Sequence, residues 1–102
     1  MNQAQLMAQV KKMQAEMAKA QEELAETIVS GSAAGGAVTV DATCDRRIKR
    51  VRIGKEAVDP EDVETLEDLV AAAVNDALRK AGETAEKRMA SVTGGMRVPG
   101  LM

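Results

Sequence analysis

The chain has no phenylalanine, tyrosine, tryptophan or histidine, and only one cysteine, Cys44. Without histidine there is no imidazole general base, no Ser-His or Cys-His nucleophile pair and no Cys/His zinc site. Without aromatic rings, nucleic acid cannot be gripped by stacking its bases, as single-strand binders and RNA-recognition modules do. One cysteine allows no internal disulfide, which suits a reducing compartment. There is no basic-then-apolar leader and no apolar run of about 18 residues. The expectation is a cytoplasmic protein with no membrane span, no cofactor, no metal, no small-molecule substrate and no catalytic residues.

What is present is aliphatic and charged. Of 102 residues, 18 are alanine and seven are methionine. A core of small aliphatics without aromatic bulk is thin for a lone chain of this length, and a second copy would extend it. The expected assembly is a homodimer of single domains. The net charge of −2 hides a strong division along the chain. Residues 30–55 hold six basic and two acidic side chains, whereas residues 56–78 hold eight acidic and no basic ones.

Residues 1–26 predict a long helix: Ala, Gln, Glu, Lys, Met and Leu dominate, and no Gly or Pro precedes Gly31. Leu6, Val10, Met13, Met17, Ala20 and Leu24 recur at alternating spacings of four and three, the seam of a helix packed lengthwise on another. A sheet follows over 27–55. Val38, Val40, Ala42 and Cys44 alternate with polar residues, and Lys49, Val51 and Ile53 alternate with Arg50 and Arg52. A hairpin turning at Asp45-Arg46 sets Val40 opposite Val51, Val38 opposite Ile53 and Asp41 beside Arg50. Ile28 to Gly31 would add a third antiparallel strand, and the Gly/Ser/Ala run from Gly31 to Gly36 marks the turn. Asp59-Pro60-Glu61 predicts a helix start with Asp59 as cap, and the helical stretch runs over 59–93. Its stripe runs through Leu66, Leu69, Val70, Ala73, Val74, Ala77, Leu78 and Ala81. Gly94-Gly95 ends it, leaving a short apolar tail over 94–102. The expected class is α+β: long helix, three-stranded antiparallel meander, long helix.

In this order the residues resemble the YbaB/EbfC family of bacterial nucleoid-associated proteins. The most specific stretch is Leu66-Glu67-Asp68-Leu69-Val70, continuing through Ala73-Val74-Asn75-Asp76-Ala77-Leu78. Supporting it are the Met/Gln/Lys-rich first helix, Gly35-Gly36 before the Val38/Val40 strand, Gly94-Gly95 and Pro99-Gly100-Leu101. The resemblance covers essentially the whole chain. It implies a homodimer with a central sheet built from both copies, projecting helices, and binding of double-stranded DNA with little sequence preference. It also implies a nucleoid location and no enzymatic activity. One departure is visible: the hairpin turn, where the family often carries glycine, reads Cys44-Asp45-Arg46-Arg47.

Two groups of cations are the candidate DNA contacts. Arg46, Arg47, Arg50 and Arg52 lie on the hairpin, the densest positive stretch, and guanidinium suits phosphate oxygens. Lys11, Lys12 and Lys19 on the first helix, with Lys87 and Arg88 on the last, would line a clamp. The competing reading is a solvated surface with ordinary i,i+4 pairs, such as Lys12–Glu16 and Lys19–Glu23. By alternation Lys49 falls on the inward face with Val51. Met7, Met13 and Met17 read as packing residues and Cys44 as a buried thiol. The acidic run from Glu56 to Asp68 lacks the order of a calcium loop. The alternative function is a homodimeric adaptor that recruits DNA-repair or replication machinery through its apolar seam, its tail and its acidic helix front.

Overall fold

The first helix, α1 (Gln3–Glu26), begins where Asn2 accepts the backbone N–H of Gln5 at 2.7 Å and the Gln5 side chain accepts that of Asn2. This reciprocal cap satisfies two amides that the first turn would otherwise leave open. The computed structural model describes residues 2–93, so the expected apolar tail over 94–102 lies outside the described residues. Three strands follow, β1 (Ile28–Ala33), β2 (Val38–Thr43) and β3 (Ile48–Ile53), and then the second helix, α2 (Val63–Thr93). The strands form an antiparallel meander in the order β1-β2-β3. This is the α+β architecture expected from the patterning.

The hairpin register agrees with the two alternations: Val38 faces Ile53, Val40 faces Val51 and Asp41 faces Arg50. Past Asp41 the ladder slips, and Ala42 pairs with Ile48. The slip corrects the placement of Lys49. A bulge takes up one residue, so Ile48 occupies the apolar row beside Ala42 and Lys49 is exposed. β1 also runs further than expected, to Ala33. The turn that follows places Ala34, Gly35 and Gly36 at positive φ, 52°, 66° and 98°.

The start of α2 is a second correction. Asp59 does not cap it. Its carboxylate accepts the N–H of Glu61 at 2.9 Å in a local turn, and the helix begins four residues later, at Val63. Asp62 serves the first turn, accepting the Thr65 N–H at 3.3 Å and its hydroxyl at 2.6 Å. Two aspartates three apart each close a turn, and only the second leads into helical backbone.

α2 lies across β1 and β2. Val38, Val40 and Ala42 are fully buried, as are Ala73 and Ala77, which pack with them in one core cluster. The approach is close because the facing residues are small. A Cβ added at Gly31 would lie 2.2 Å from the Ala77 amide nitrogen and 2.6 Å from the Ala73 carbonyl oxygen, so only glycine fits. Polar bonds fix the same edge: the Ser32 N–H donates to Asp76 at 3.0 Å, and Lys80 donates to the Ser30 carbonyl at 3.1 Å.

α1 packs on α2 only through its C-terminal half. Ala20 and Leu24 are buried and Met13 and Met17 half-buried, while Leu6 is 52% exposed. The seam read from the sequence is therefore covered along part of its length, and α1 projects as an arm. The radius of gyration is 19.6 Å, against about 13 Å for a compact chain of this size.

Candidate nucleic-acid interface

The sheet has two unlike faces. Strand pairing puts Ser30, Ser32, Thr39, Asp41, Arg50 and Arg52 on the face away from the core row of Val38, Val40 and Ala42. The one acid in this row is occupied. Asp41 accepts the Ser30 hydroxyl at 2.7 Å and Arg52 at 3.0 Å. Ser30 first, then Arg52, holds its carboxyl below the usual range. Arg50 is thus the neighbour of Asp41 in register while Arg52 is its ion-pair partner. Arg50 is left exposed, with no ion pair among the described residues.

The turn beside this face is built on Thr43, which is 1% exposed. Its hydroxyl donates to the Asp45 carboxylate and accepts the Arg47 N–H at 3.0 Å. The Thr43 bond, followed by Arg47, holds Asp45 below the ordinary carboxylate range. Arg47 lies 3.2 Å from Asp45 and donates to the Ala25 carbonyl at 3.3 Å, tying the turn to the end of α1. Arg46 takes φ 70°, the left-handed backbone that glycine adopts without strain. Its side chain lies toward α2, with a guanidinium nitrogen 3.4 Å from where a Cβ on Gly82 would sit. Cys44 is buried, as its strand position implied, and its N–H bonds to the Leu24 and Thr27 carbonyls.

On the helices, Arg88 is a brace between the two rods. It lies 2.8 Å from Glu23 and donates to Ser91 at 3.0 Å. The bond with Glu23 raises the Arg88 pKa, and the bond with Arg88 lowers that of Glu23. The Lys19–Glu23 pair of the competing reading is absent among the described residues, and Glu23 turns to Arg88 instead. Glu16, Lys19, Arg88, Ser91 and Val92 line an open cleft of about 220 Å³ between the helices. Lys12 and Lys19, seven residues apart, share one stripe of α1. Lys11, Lys12, Lys19 and Lys87 are all exposed and form no ion pair among the described residues.

Of the nine candidate contacts, then, Arg47, Arg52 and Arg88 hold the chain's own acids, and Arg46 reaches toward α2 while remaining exposed and without an ion pair among the described residues. Lys11, Lys12, Lys19, Arg50 and Lys87 are presented to solvent. The alternation put Val51 and Ile53 in one row with the core strand, but the sequence did not show that this row is left exposed, at 41% and 43%. Ile48 joins the row only through the bulge. Among the described residues, no group of three or more Asp, Glu, Cys or His side chains is placed to hold a metal ion. None of their helices is long and apolar enough to cross a membrane.

The sequence and the fold have known counterparts. A nucleoid-associated protein of Chloroflexus aurantiacus is 53% identical over 97 residues, spanning 95% of this chain and 97% of its own length. One from Bacillus thuringiensis is 53% identical over 87 residues, 85% of this chain and 80% of that protein. The crystal structure of an uncharacterized protein from Helicobacter pylori superposes with a TM-score of 0.74 at 23% identity, covering 85% of this chain and 91% of the other. At that identity the likeness speaks for the fold alone. The model of the YbaB/EbfC DNA-binding family matches residues 1–96, and the chain belongs to that family, one of DNA-binding proteins and not of enzymes.

Proposed function

We propose that two copies of this chain join through β3 and that the dimer holds double-stranded DNA by its phosphates, with little regard for sequence. The observation that carries the reading is that cations on the helices, Lys11, Lys12, Lys19 and Lys87, and Arg50 on the outer sheet face are exposed and form no ion pair among the described residues. Cations already neutralised by the chain's own carboxylates have less to gain from a phosphate. Free ones release counterions from the duplex when they bind. Contacts to backbone oxygens position a protein without reading bases. α1 is about 36 Å long over its 24 residues, and its uncovered N-terminal part gives each copy a projecting arm. Two arms related by a two-fold axis are long enough to flank a duplex. With relatives named nucleoid-associated proteins, the location that follows is the nucleoid, and the role is to organise or bridge the chromosome, with indirect effects on expression.

A duplex titration at several salt concentrations tests this. Affinity falls by orders of magnitude between about 50 and 200 mM salt if six or more phosphates are neutralised. Changing Lys11, Lys12 and Lys19 together to Gln removes cations from both arms of the dimer. It lowers affinity for any duplex sequence and flattens the salt slope by roughly 0.9 per lost contact. Binding that ignores salt, or no binding in dilute buffer by a folded protein, overturns the reading and favours the protein adaptor.

A further inference from the structure

Strand β3 is an open edge, paired with β2 on one side only, and all six of its residues are exposed. α2 covers β1 and β2 and leaves the apolar row of β3 bare, with Ile48, Val51 and Ile53 exposed at 42%, 41% and 43%. Val58 and Val63, which follow β3 in the chain, are also exposed, at 53% and 55%. The same strand carries Lys49, Arg50 and Arg52. Cations on an edge strand ordinarily keep a second strand away. Pairing β3 with its own copy sets like charges against one another, which destabilises a ladder. Such a seam needs anions.

The chain supplies them next to the strand. Residues 56–78 hold eight acids and no base. Glu56, Glu61 and Glu64, at the start of that stretch, have no ion pair among the described residues. The geometry of a two-fold dimer decides where they go. An axis perpendicular to the sheet makes the two edge strands antiparallel, so the Ile48 end of one copy lies beside the Ile53 end of the other. Just before Ile48 is the hairpin turn with Arg46. Just after Ile53 come the Lys55–Ala57 turn, Glu61 and the front of α2. We propose that the acidic segment Glu56–Glu64 of each copy neutralises the hairpin cations Arg46 and Lys49 of the other, making the β3 seam selective for a second copy of this chain. This rests on the dimer proposed above. It moves Arg46 from a DNA contact to an assembly contact.

Sedimentation of the full chain over a series of concentrations and salt levels tests the proposal, with circular dichroism reporting the fold. The wild-type dimer weakens as salt rises. Arg46→Glu with Lys49→Glu, and separately Glu56→Lys with Glu61→Lys, each raise the dimer dissociation constant by about tenfold or more. An equimolar mixture of the two variants forms a heterodimer near wild-type strength, because both halves of its seam are again complementary. If a reversed chain fails to fold, Arg46→Gln with Lys49→Gln replaces it and flattens the salt dependence of assembly. Variants that dimerise like the wild type, or a mixture that forms no heterodimer, overturn the proposal while the dimer reading stands. A wild-type chain that sediments as a folded monomer overturns both.

Discussion

Asp76 sits midway along α2, where the first strand meets the helix. Its carboxylate accepts the Ser32 N–H at 3.0 Å and lies 2.9 Å from Arg79 and 3.3 Å from Lys80. The Ser32 amide contributes most, then Arg79, then Lys80, and together they lower its pKa from 3.8 to about 2. A depressed carboxylate stabilises the fold fully above its unfolded pKa, and that contribution is lost as pH falls through the folded one. For Asp76 the window runs from 3.8 down to about 2. Asp76→Asn should therefore unfold at lower urea than the wild type near neutral pH, with the gap closing across that window. Equal urea midpoints near neutral pH would remove the role given to this side chain. In the sequence Asp76 is one of eight acids in the base-free stretch 56–78, distinguished by nothing local. Its first partner, Ser32, lies 44 residues away, and only the packing of β1 on α2 brings the two together.

At the level of elements, the helices and strands were legible where one period held without interruption. α1, the β2–β3 register as far as Asp41, and the stripe of α2 all follow from spacing. The departures have local causes. A bulge cannot be seen in a two-residue alternation, because skipping Lys49 and keeping Ile48 in the row satisfies the same pattern. Two capping aspartates three apart compete for one helix start, and the choice of Asp62 depends on where the chain must turn after β3. Gly82 gives a test at this scale. It lies inside α2, where glycine costs about 1 kcal/mol relative to alanine. A Cβ there would meet only the end of the Arg46 side chain, at 3.4 Å. That side chain is flexible and exposed, so Gly82→Ala should stabilise the protein by about 1 kcal/mol in urea unfolding. A loss of stability would mean that Arg46 is fixed over the helix more firmly than its exposure implies.

The molecule as a whole is long, 70 × 27 × 16 Å, and its apolar surface is unfinished along β3. Placing Asp at Val51 adds a charge to the middle of that bare row. Val51 is 41% exposed in the single chain, so the monomer fold should tolerate Val51→Asp. The dimer should not. Sedimentation is expected to show monomers, and duplex titration a salt slope reduced to roughly half, because half of the phosphate contacts are lost. A monomeric variant that keeps the full slope would place all of the DNA contact within one copy.

The sequence by itself determined the order of elements, the division of charge, the hairpin register as far as Asp41 and the exclusion of histidine- and aromatic-dependent chemistry, because each depends on residue type and on neighbours a few positions apart. The tertiary structure decided which cations are free. Arg52, Arg47 and Arg88 are as basic as Arg50 in any reading of the chain, and what separates them is a carboxylate within 3.2 Å, brought from another strand for Arg52, from the same turn for Arg47 and from another helix for Arg88. Charge is a property of a residue, but availability is a property of its surroundings, and surroundings exist only once the chain has packed.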